Sequence, residues 1–351
     1  MDAASNPADG APARDASRQV RDGIVDAYAQ LTKVRLNALV LATAAVGFAC
    51  AVPARGDWAR FGWTMLGTAL CAASASMLNQ LAERRRDALM ERTRTRPLPR
   101  GRVGSLQVFV SGTVSAFGGF AVLAVHANPL AAALGLANIL LYVLVYTPLK
   151  PRTTLNTVVG AVCGAVPPML GWAAASGSLG PGAWALGAVL FVWQLPHFMS
   201  LAWLYREDYA RGGFAMLPVV DARGDATGQT VLLTSLLLVP VSLLVTLTGT
   251  AGWWYAGTAV FLGVAASILG AAFWRRRDRP GARRVFLASI IYLPLLLTVM
   301  VIDRGPVDPR VAVRAGATVA EEPDRAAGRD SGVTGGGATG GAAAAPRSGA
   351  R

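Results

Sequence analysis

The chain alternates between long apolar stretches and short polar connections over most of its length. Each apolar stretch holds about 18 to 23 residues, which is enough to cross a hydrocarbon layer of roughly 30 Å as an α-helix. Nine such stretches are predicted, at residues 36–54, 61–81, 105–125, 129–147, 155–175, 182–204, 229–250, 254–274 and 285–302. The pattern therefore predicts an all-α membrane protein with about nine transmembrane helices.

The two ends of the chain lack this pattern. The first 30 residues are polar, include several aspartates and contain no apolar core of a signal peptide. The last residues are rich in Ala and Gly, a composition typical of disorder. We therefore expect a disordered tail over residues 1–30, a transmembrane domain over residues 31–303 and a second disordered tail over residues 304–351.

The composition supports this class, since 53% of the residues are hydrophobic, 15% are charged and the mean hydropathy is +0.43. A net charge of +13 is also found in nucleic-acid-binding proteins. Here, however, the basic residues are concentrated in alternate connections, after the second, fourth, sixth and eighth stretches, and that is the pattern of membrane topology. The connection after the first stretch, with Arg55 and Arg60, is the one exception.

The positive-inside rule places the N-terminus and the basic connections in the cytoplasm and the C-terminus outside. We expect a multi-pass protein of the bacterial inner membrane, with lipid around it and no nucleic-acid partner.

Acidic residues stand inside the densest arginine run, LNQLAERRRDALMERTRTRPLPRGR, residues 78–102. On a helix that continues the second stretch, Asn79, Glu83 and Asp87 are spaced by four residues and drift by only about 40° per step. They line one face over about 12 Å. Glu83 and Asp87 repel each other there unless a cation lies between them.

Two interpretations of this face remain open on the pattern alone. In the first, Glu83 pairs with Arg86 and Asp87 with Arg84, three residues apart, on a solvated helical extension. In the second, the carboxylates and the Asn79 amide hold Mg²⁺, and the neighbouring arginines bind phosphate oxygens. The second suits a magnesium diphosphate, which needs both acids and bases. Pro97 predicts that the helix ends or the chain turns at Arg96.

Three other places carry candidate chemistry. Asp208, beside Arg206 and Glu207, follows the sixth stretch, so that a bundle can bring it close to Asp87 on the same side of the membrane. The connection YTPLKPR after the fourth stretch offers further donors to phosphate, namely Tyr146, Lys150 and Arg152. His197 lies within the sixth stretch, either as a hydrogen-bonded interhelical residue or as part of a ligand site.

Four motifs occur in order: NQLAERRRDALMERTRTRPLP (79–99), YTPLK (146–150), WQLPHF (193–198) and DYARGGFAMLP (208–218). Together they resemble the protoheme IX farnesyltransferases, or haem O synthases, among the UbiA-type intramembrane prenyltransferases. The likeness covers residues 30–302, approximately. The middle position of the first motif is usually Asp in the superfamily and is Glu83 here. Quinone-type relatives carry paired aspartates four apart in the last motif, whereas Leu204 precedes Asp208 here.

The resemblance implies a nine-helix UbiA-like bundle with a large cavity open to the cytoplasmic side. Its implied activity is transfer of the farnesyl group of farnesyl diphosphate to a vinyl group of haem b, with addition of water, to give haem O. The implied cofactor is Mg²⁺, and a downstream haem-modifying enzyme is a further candidate partner. The implied residues are Asn79, Glu83, Asp87 and Asp208 for catalysis and metal, Arg86, Arg94, Arg96, Tyr146, Lys150 and Arg152 for diphosphate, and His197 for haem.

Three alternatives remain. A related prenyltransferase could act on an aromatic or quinone precursor, although Leu204 and the Pro-His-Phe run weigh against that by resemblance. A secondary transporter also has polar residues at helix ends, but its coupling charges are expected near the middle of the membrane. A membrane scaffold would explain the arginines but not the acids spaced among them.

Overall fold

The structure of the chain is a computed structural model that describes residues 23–51 and 57–305. Helix α1 covers residues 23–31. The remaining helices are α2 (Val34–Ala51), α3 (Trp58–Asp87), α4 (Ser105–His126), α5 (Pro129–Leu140), α6 (Thr147–Leu149), α7 (Asn156–Ser176), α8 (Pro181–Leu204), α9 (Arg206–Arg211), α10 (Leu217–Val220), α11 (Asp225–Leu247), α12 (Trp253–Arg276) and α13 (Arg279–Ile302). A π-helical turn, Leu141–Tyr146, joins α5 to α6.

Within the described residues, nine helical segments are long and apolar enough to span a membrane. They are α2, α3, α4, the continuous run from α5 to α6, α7, α8, α11, α12 and α13. Each matches one predicted stretch, so the prediction of an all-α transmembrane protein is confirmed. The second segment continues as helix to Asp87, beyond the apolar stretch that ends at residue 81.

The helix α1 corrects the prediction of a disordered N-terminal tail for residues 23–30. Its Ala27 and Leu31 are buried against Met77 of α3 and Val108 in the first turn of α4. The Tyr28 hydroxyl also lies 3.0 Å from the Ser111 hydroxyl. This packing orders residues 23–31. Their polar composition resembles that of the rest of the tail, so the sequence did not distinguish them from it. The other parts of the predicted tails, residues 1–22 and 306–351, lie outside the described residues.

The two ends of the bundle differ in their side chains. Exposed tryptophans occupy the first turns of α3, α8 and α12, namely Trp58, Trp184, Trp253 and Trp254. Tryptophan is enriched at the boundary between membrane and water. We call this end the outer end. The opposite end, where α3, α8 and α12 finish and the basic connections lie, is called the inner end. The positive-inside rule predicts that the inner end faces the cytoplasm.

The outer end is closed by the residues that follow α13. The Asp303 carboxylate accepts a hydrogen bond from the backbone N–H of Tyr255 (2.7 Å), and its carbonyl accepts one from Gly252 (2.8 Å). Arg304 donates to the carbonyl of Ala49 at 3.0 Å. These contacts join the last membrane segment to α12 and to the first segment, α2. They also place residues 304 and 305, which the sequence assigned to the C-terminal tail, within the hydrogen-bonded structure.

Helices α2 and α7 approach each other closely enough for their backbones to touch. A Cβ atom added to Gly171 would lie 1.9 Å from the carbonyl oxygen of Ala44, and one added to Gly47 would lie 1.9 Å from that of Pro168. Small residues permit such an approach between membrane helices, where packing rather than the hydrophobic effect drives association. Helix α7 in turn packs against α8, which also contacts α11 and α13.

We predict that Gly171→Ala destabilises the protein, because rotation of a side chain cannot relieve a clash with backbone. Overpacking of this kind costs about 1–3 kcal/mol of unfolding free energy. The measurement is the thermal unfolding midpoint in detergent. The matched control is Gly257→Ala on α12, where the added Cβ meets nothing within 4 Å. Equal midpoints for the two variants would contradict the close contact.

Candidate active site

The acidic face predicted at the end of the second segment is present and buried. Because α3 remains helical to Asp87, the side chains of Asn79, Glu83 and Asp87 follow one side of it. Their exposed fractions are 1%, 6% and 1%, respectively. Two carboxylates held this far from water need cationic or hydrogen-bonding partners.

The partner of Glu83 comes from the connection after the fourth membrane segment. The Lys150 Nζ atom lies 2.8 Å from Glu83 Oε1 and donates a hydrogen bond to Oε2 at 3.1 Å. The same ammonium lies 4.7 Å from the centre of the Tyr146 ring and 5.6 Å from that of Phe214. Although Lys150 is close, Oε1 makes no hydrogen bond of acceptable geometry. A carboxylate oxygen has more than one lone pair, so Oε1 can accept a further ligand beside the Lys150 ammonium.

The partner of Asp87 is Arg96, whose Nη1 atom donates to Oδ2 at 2.8 Å. The helix ends at Asp87, and residues 88–104 form a series of turns that bring Arg96 back to it. One of those turns is fixed by Thr93, whose hydroxyl donates to the carbonyl of Asp87 at 2.7 Å. The turn predicted at Arg96 from Pro97 is therefore present, although the helix itself ends nine residues earlier.

The first interpretation of the acidic face, in which arginines three residues away pair with the acids, is wrong. Arg84 donates to the carbonyl of Leu81 at 3.1 Å, and Arg86 donates to the carbonyls of Gly212 and Gly213, both at 3.0 Å. The ion pairs of Glu83 and Asp87 are instead made with cations from other parts of the chain. The acids are therefore turned into the bundle and not along the surface of α3.

Asn79 is held by one neighbour on each side of its amide. Its Nδ2 atom donates to the Thr147 hydroxyl at 2.9 Å, and its Oδ1 atom lies 3.4 Å from Lys33 Nζ. Lys33 precedes α2 and has a φ of 49°, a conformation that is costly for a residue with a side chain. Burial, together with the charges of Arg96 and Lys150, lowers the pKa of Lys33 to about 7.

Sequence reasoning missed Lys33 as a site residue. Its motif, LTKVR, has no acid or phosphate signature. Its position depends on the packing of α1 and on the turn between α1 and α2, neither of which the sequence indicated. We call the group formed by Lys33, Asn79, Glu83, Asp87, Arg96, Thr147 and Lys150 the inner cluster.

Asp208 lies beside the segment that follows α3, and both of its oxygens have protein partners. They accept hydrogen bonds from the backbone N–H groups of Glu91 (2.9 Å) and Arg92 (3.2 Å), and Arg211 donates to it at 2.6 Å. Burial alone would raise the pKa of Asp208, but these hydrogen bonds outweigh it and hold the pKa below the usual range. Asp208 thus joins α9 to residues 91 and 92.

The other residues predicted to bind diphosphate lie in three different surroundings. Tyr146 lies against Lys150 and belongs beside the inner cluster. Arg86 binds backbone carbonyls of residues 212 and 213. Arg94 and Arg152 are exposed, and Arg94 pairs with the exposed Glu91 at 3.6 Å. The structure therefore brings Arg96, Tyr146 and Lys150 to the acids but does not bring Arg94 or Arg152 there.

His197 lies on the side of α8 that faces α13. Its Nδ1 atom is 2.8 Å from the Ser289 hydroxyl, and its ring stacks at 5.0 Å on Trp193. Phe286 packs on it at the same centroid distance. A mainly apolar cavity of about 190 Å³ lies next to these residues, lined in part by Trp193, Ser289 and Tyr292. The large cavity open to the cytoplasmic side, which the resemblance implies, stays a prediction.

Comparison with known proteins identifies the family to which this helical bundle belongs. The model of the UbiA prenyltransferase family matches residues 40–293, which is more than half of the chain. The chain belongs to the UbiA prenyltransferase family. The resemblance stated from the four motifs is thereby confirmed at the level of the family.

Individual UbiA relatives extend the match. The chain is 39% identical over 286 residues to the protoheme IX farnesyltransferase of Solibacter usitatus, which covers 79% of this chain and 98% of the relative. It is 43% identical over 276 residues to the protoheme IX farnesyltransferase of Salinibacter ruber, with 79% and 98% covered.

Solved structures share the fold at lower sequence identity. A structure of digeranylgeranylglyceryl phosphate synthase superposes with a TM-score of 0.68 at 14% identity, over 80% of this chain and 98% of that one. A UbiA homologue from Archaeoglobus fulgidus, bound to GPP and Mg²⁺, superposes with a TM-score of 0.58 at 17% identity, over 78% and 99%. The UbiA-like bundle is thus confirmed.

The donors of the inner cluster fit a magnesium ion. Within residues 23–51 and 57–305, no three His, Cys, Asp or Glu side chains are grouped so as to hold a metal ion by themselves. Mg²⁺, however, takes one or two protein carboxylates and fills its other positions with water and substrate phosphate. Glu83 Oε1, Asp87 and the amide oxygen of Asn79 supply such a set of hard oxygen donors.

We predict that Glu83 and Lys150 are energetically coupled. Glu83→Gln leaves the Lys150 ammonium buried without its counter-ion, a change that costs about 3–5 kcal/mol. The double variant Glu83→Gln/Lys150→Met removes both charges and should recover most of that loss. The measurement is a double-mutant cycle on the unfolding midpoint in detergent, without added ligand. Losses that simply add would contradict the ion pair.

Proposed function

We propose that the chain transfers the farnesyl group of farnesyl diphosphate to a vinyl group of protohaem IX, with addition of water, to give haem O and diphosphate. The observation that carries the proposal is the near full-length similarity to protoheme IX farnesyltransferases, at 39% and 43% identity. The inner cluster supports it independently, because it combines acids and bases in the proportion that a metal diphosphate requires.

The charges of the inner cluster are complementary to that ligand. Lys33, Arg96 and Lys150 against Glu83 and Asp87 leave a formal charge of +1. An ionised diphosphate ester with one Mg²⁺ carries a charge of about −1, so the loaded cluster is close to neutral. An anion beside Lys33 also favours its charged form and opposes the lowering of its pKa by burial.

Each residue then has a role. Asn79, Glu83 and Asp87 would hold the metal, and Lys33, Arg96 and Lys150 would contact the diphosphate as it leaves, with Tyr146 packed against Lys150. Bound Mg²⁺ would stabilise the charge that develops on the departing diphosphate. The three cations are fixed by their own contacts before the reaction, so they do not have to reorganise as that charge develops.

The reaction needs no covalent nucleophile from the protein. The bond between the allylic carbon and oxygen breaks, and its electrons leave with the diphosphate. The vinyl π electrons form the new carbon–carbon bond, and water adds to the resulting cation and releases a proton. The allylic cation must meet the vinyl group before water, which an apolar environment among the helices favours.

The cap segments, residues 88–104 and 205–216, would close the inner end of the site. Asp208 ties the two cap segments to each other, and Arg86 ties the second cap segment to the end of α3. The Ala215 N–H donates to the Lys150 carbonyl at 2.7 Å, which brings the second segment against the cluster. We therefore propose that Asp208 acts mainly by holding the cap segments together. To ligate metal, as the sequence suggested, it would have to give up these hydrogen bonds, and Arg94 and Arg152 would have to move to reach diphosphate.

The orientation proposed from the basic connections places the N-terminus and the inner cluster at the cytoplasmic face of the inner membrane and the C-terminus outside. Haem b and farnesyl diphosphate would then enter from the cytoplasmic side. An enzyme that modifies haem O would be the partner on the product side. A quinone-precursor prenyltransferase remains the alternative that the test must separate.

The first test is to incubate the purified protein with haem b, farnesyl diphosphate and Mg²⁺ and to analyse the extracted haem by mass spectrometry. We expect haem O from the wild type and a strong loss of turnover, of about 10²-fold or more, for Asp87→Asn. The matched control is Glu91→Gln in the adjoining cap segment, where the Glu91 side chain is 69% exposed. Prenylation of a quinone precursor without haem O would refute the proposed acceptor.

The second test concerns His197. Ser289 occupies its Nδ1 atom, which leaves Nε2 as the nitrogen able to bind haem iron. We expect His197→Ala to alter the absorption spectrum of haem bound to the protein and to weaken haem affinity. His126 is the only other histidine of the chain; it stacks on Trp63 at the outer end, and His126→Ala is the matched control. An unchanged spectrum in His197→Ala would exclude the ligand role.

A further inference from the structure

Asn79 is the least conventional donor of the inner cluster, because an amide offers its oxygen to a metal only in one of two orientations. If the group were turned over, its NH₂ end would face the metal and repel it. The orientation must therefore be set by neighbours. The side chain is 1% exposed and has one hydrogen-bonding neighbour on each side, Thr147 and Lys33.

The hydroxyl of Thr147 settles this orientation by its own hydrogen bond. Its Oγ1 atom donates to the carbonyl of Tyr142 at 2.8 Å, so its single proton is engaged. Toward Asn79, at 2.9 Å, it can only accept, and it must therefore meet the NH₂ end of the amide. The amide oxygen is thereby directed to the opposite side, toward Lys33 Nζ and the rest of the cluster.

The π-helical turn places this hydroxyl. The Thr147 N–H also bonds to the Tyr142 carbonyl, five residues earlier, so that one carbonyl receives both groups of Thr147. Pro148 follows directly; it lacks an N–H and disfavours the regular helical turn before it. The wider turn carries Thr147 to a buried position, 5% exposed, against Asn79 of α3. A side chain in a regular turn at this point would be rotated away from that contact.

We propose that Thr147 is a positioning residue for the metal: its hydroxyl, polarised by the Tyr142 carbonyl, fixes the Asn79 amide with its oxygen toward the cation. This inference rests on the proposed function for its assignment of Asn79 as a metal donor. Thr147 contacts neither metal nor substrate, and it acts only through Asn79. Residues that orient a ligand in this way typically change metal affinity by about 10-fold to 100-fold when they are replaced.

The decisive comparison is Thr147→Val, which keeps the shape and removes the hydroxyl, against Thr147→Ser, which keeps the hydroxyl. The probe is Mn²⁺ in the presence of inorganic pyrophosphate, and free Mn²⁺ is measured by electron paramagnetic resonance. We expect Thr147→Val to weaken Mn²⁺ binding by about 10-fold or more and Thr147→Ser to stay within about twofold of wild type. Wild-type affinity in Thr147→Val, or an equal loss in Thr147→Ser, would overturn the proposal.

A second pair keeps the test decisive if Thr147→Val does not fold. Thr147→Ala can be compared with Thr147→Ser in the same way. In an Asn79→Leu background, either removal of the hydroxyl should have no further effect on Mn²⁺ affinity, because the group that it orients is gone. A further loss in that background would refute action through Asn79. These measurements of Mn²⁺ affinity do not depend on the haem acceptor. They therefore test the role of Thr147 even if the protein forms no haem O.

Discussion

The structure depends on keeping two carboxylates, Glu83 and Asp87, charged and out of water at the end of one membrane helix. Neither can be buried alone, since the desolvation of an unpaired charge exceeds what packing returns. Each therefore has a cation supplied from elsewhere, Lys150 from the connection after α6 and Arg96 from the turns after α3. The inner end is arranged around these two pairs. Arg96 brings the turns after α3 back to that helix, and Lys150 brings the connection after α6 against it.

The same arrangement explains why the inner cluster suits a metal diphosphate better than either ion alone. A divalent cation by itself would add to three nearby positive charges, and a diphosphate by itself would meet two carboxylates. When the two bind together, the diphosphate offsets the repulsion between Mg²⁺ and the cations of the cluster. The Mg²⁺ likewise offsets the repulsion between the diphosphate and the two carboxylates. The inner cluster is thus held together by internal ion pairs, and its mixed charge suits the binding and release of a diphosphate leaving group.

Much of this was predictable, for reasons that differ by residue. The nine segments follow from hydropathy because membrane helices need about 20 apolar residues. The shared side of Asn79, Glu83 and Asp87 follows from helical spacing. Arg94 and Arg96, in contrast, look alike in sequence, and only the turns after α3 decide which one reaches Asp87. Lys33 depends on a backbone turn with positive φ, and Asp208 is bound by backbone N–H groups. Local pattern does not encode these tertiary contacts.

The contact between α2 and α7 limits where a substrate can enter the bundle. With no side chain between their backbones at Gly47 and Gly171, the two helices leave no space for a ligand between them at this level. A bulky planar substrate must therefore reach the interior past the cap segments or between other helices.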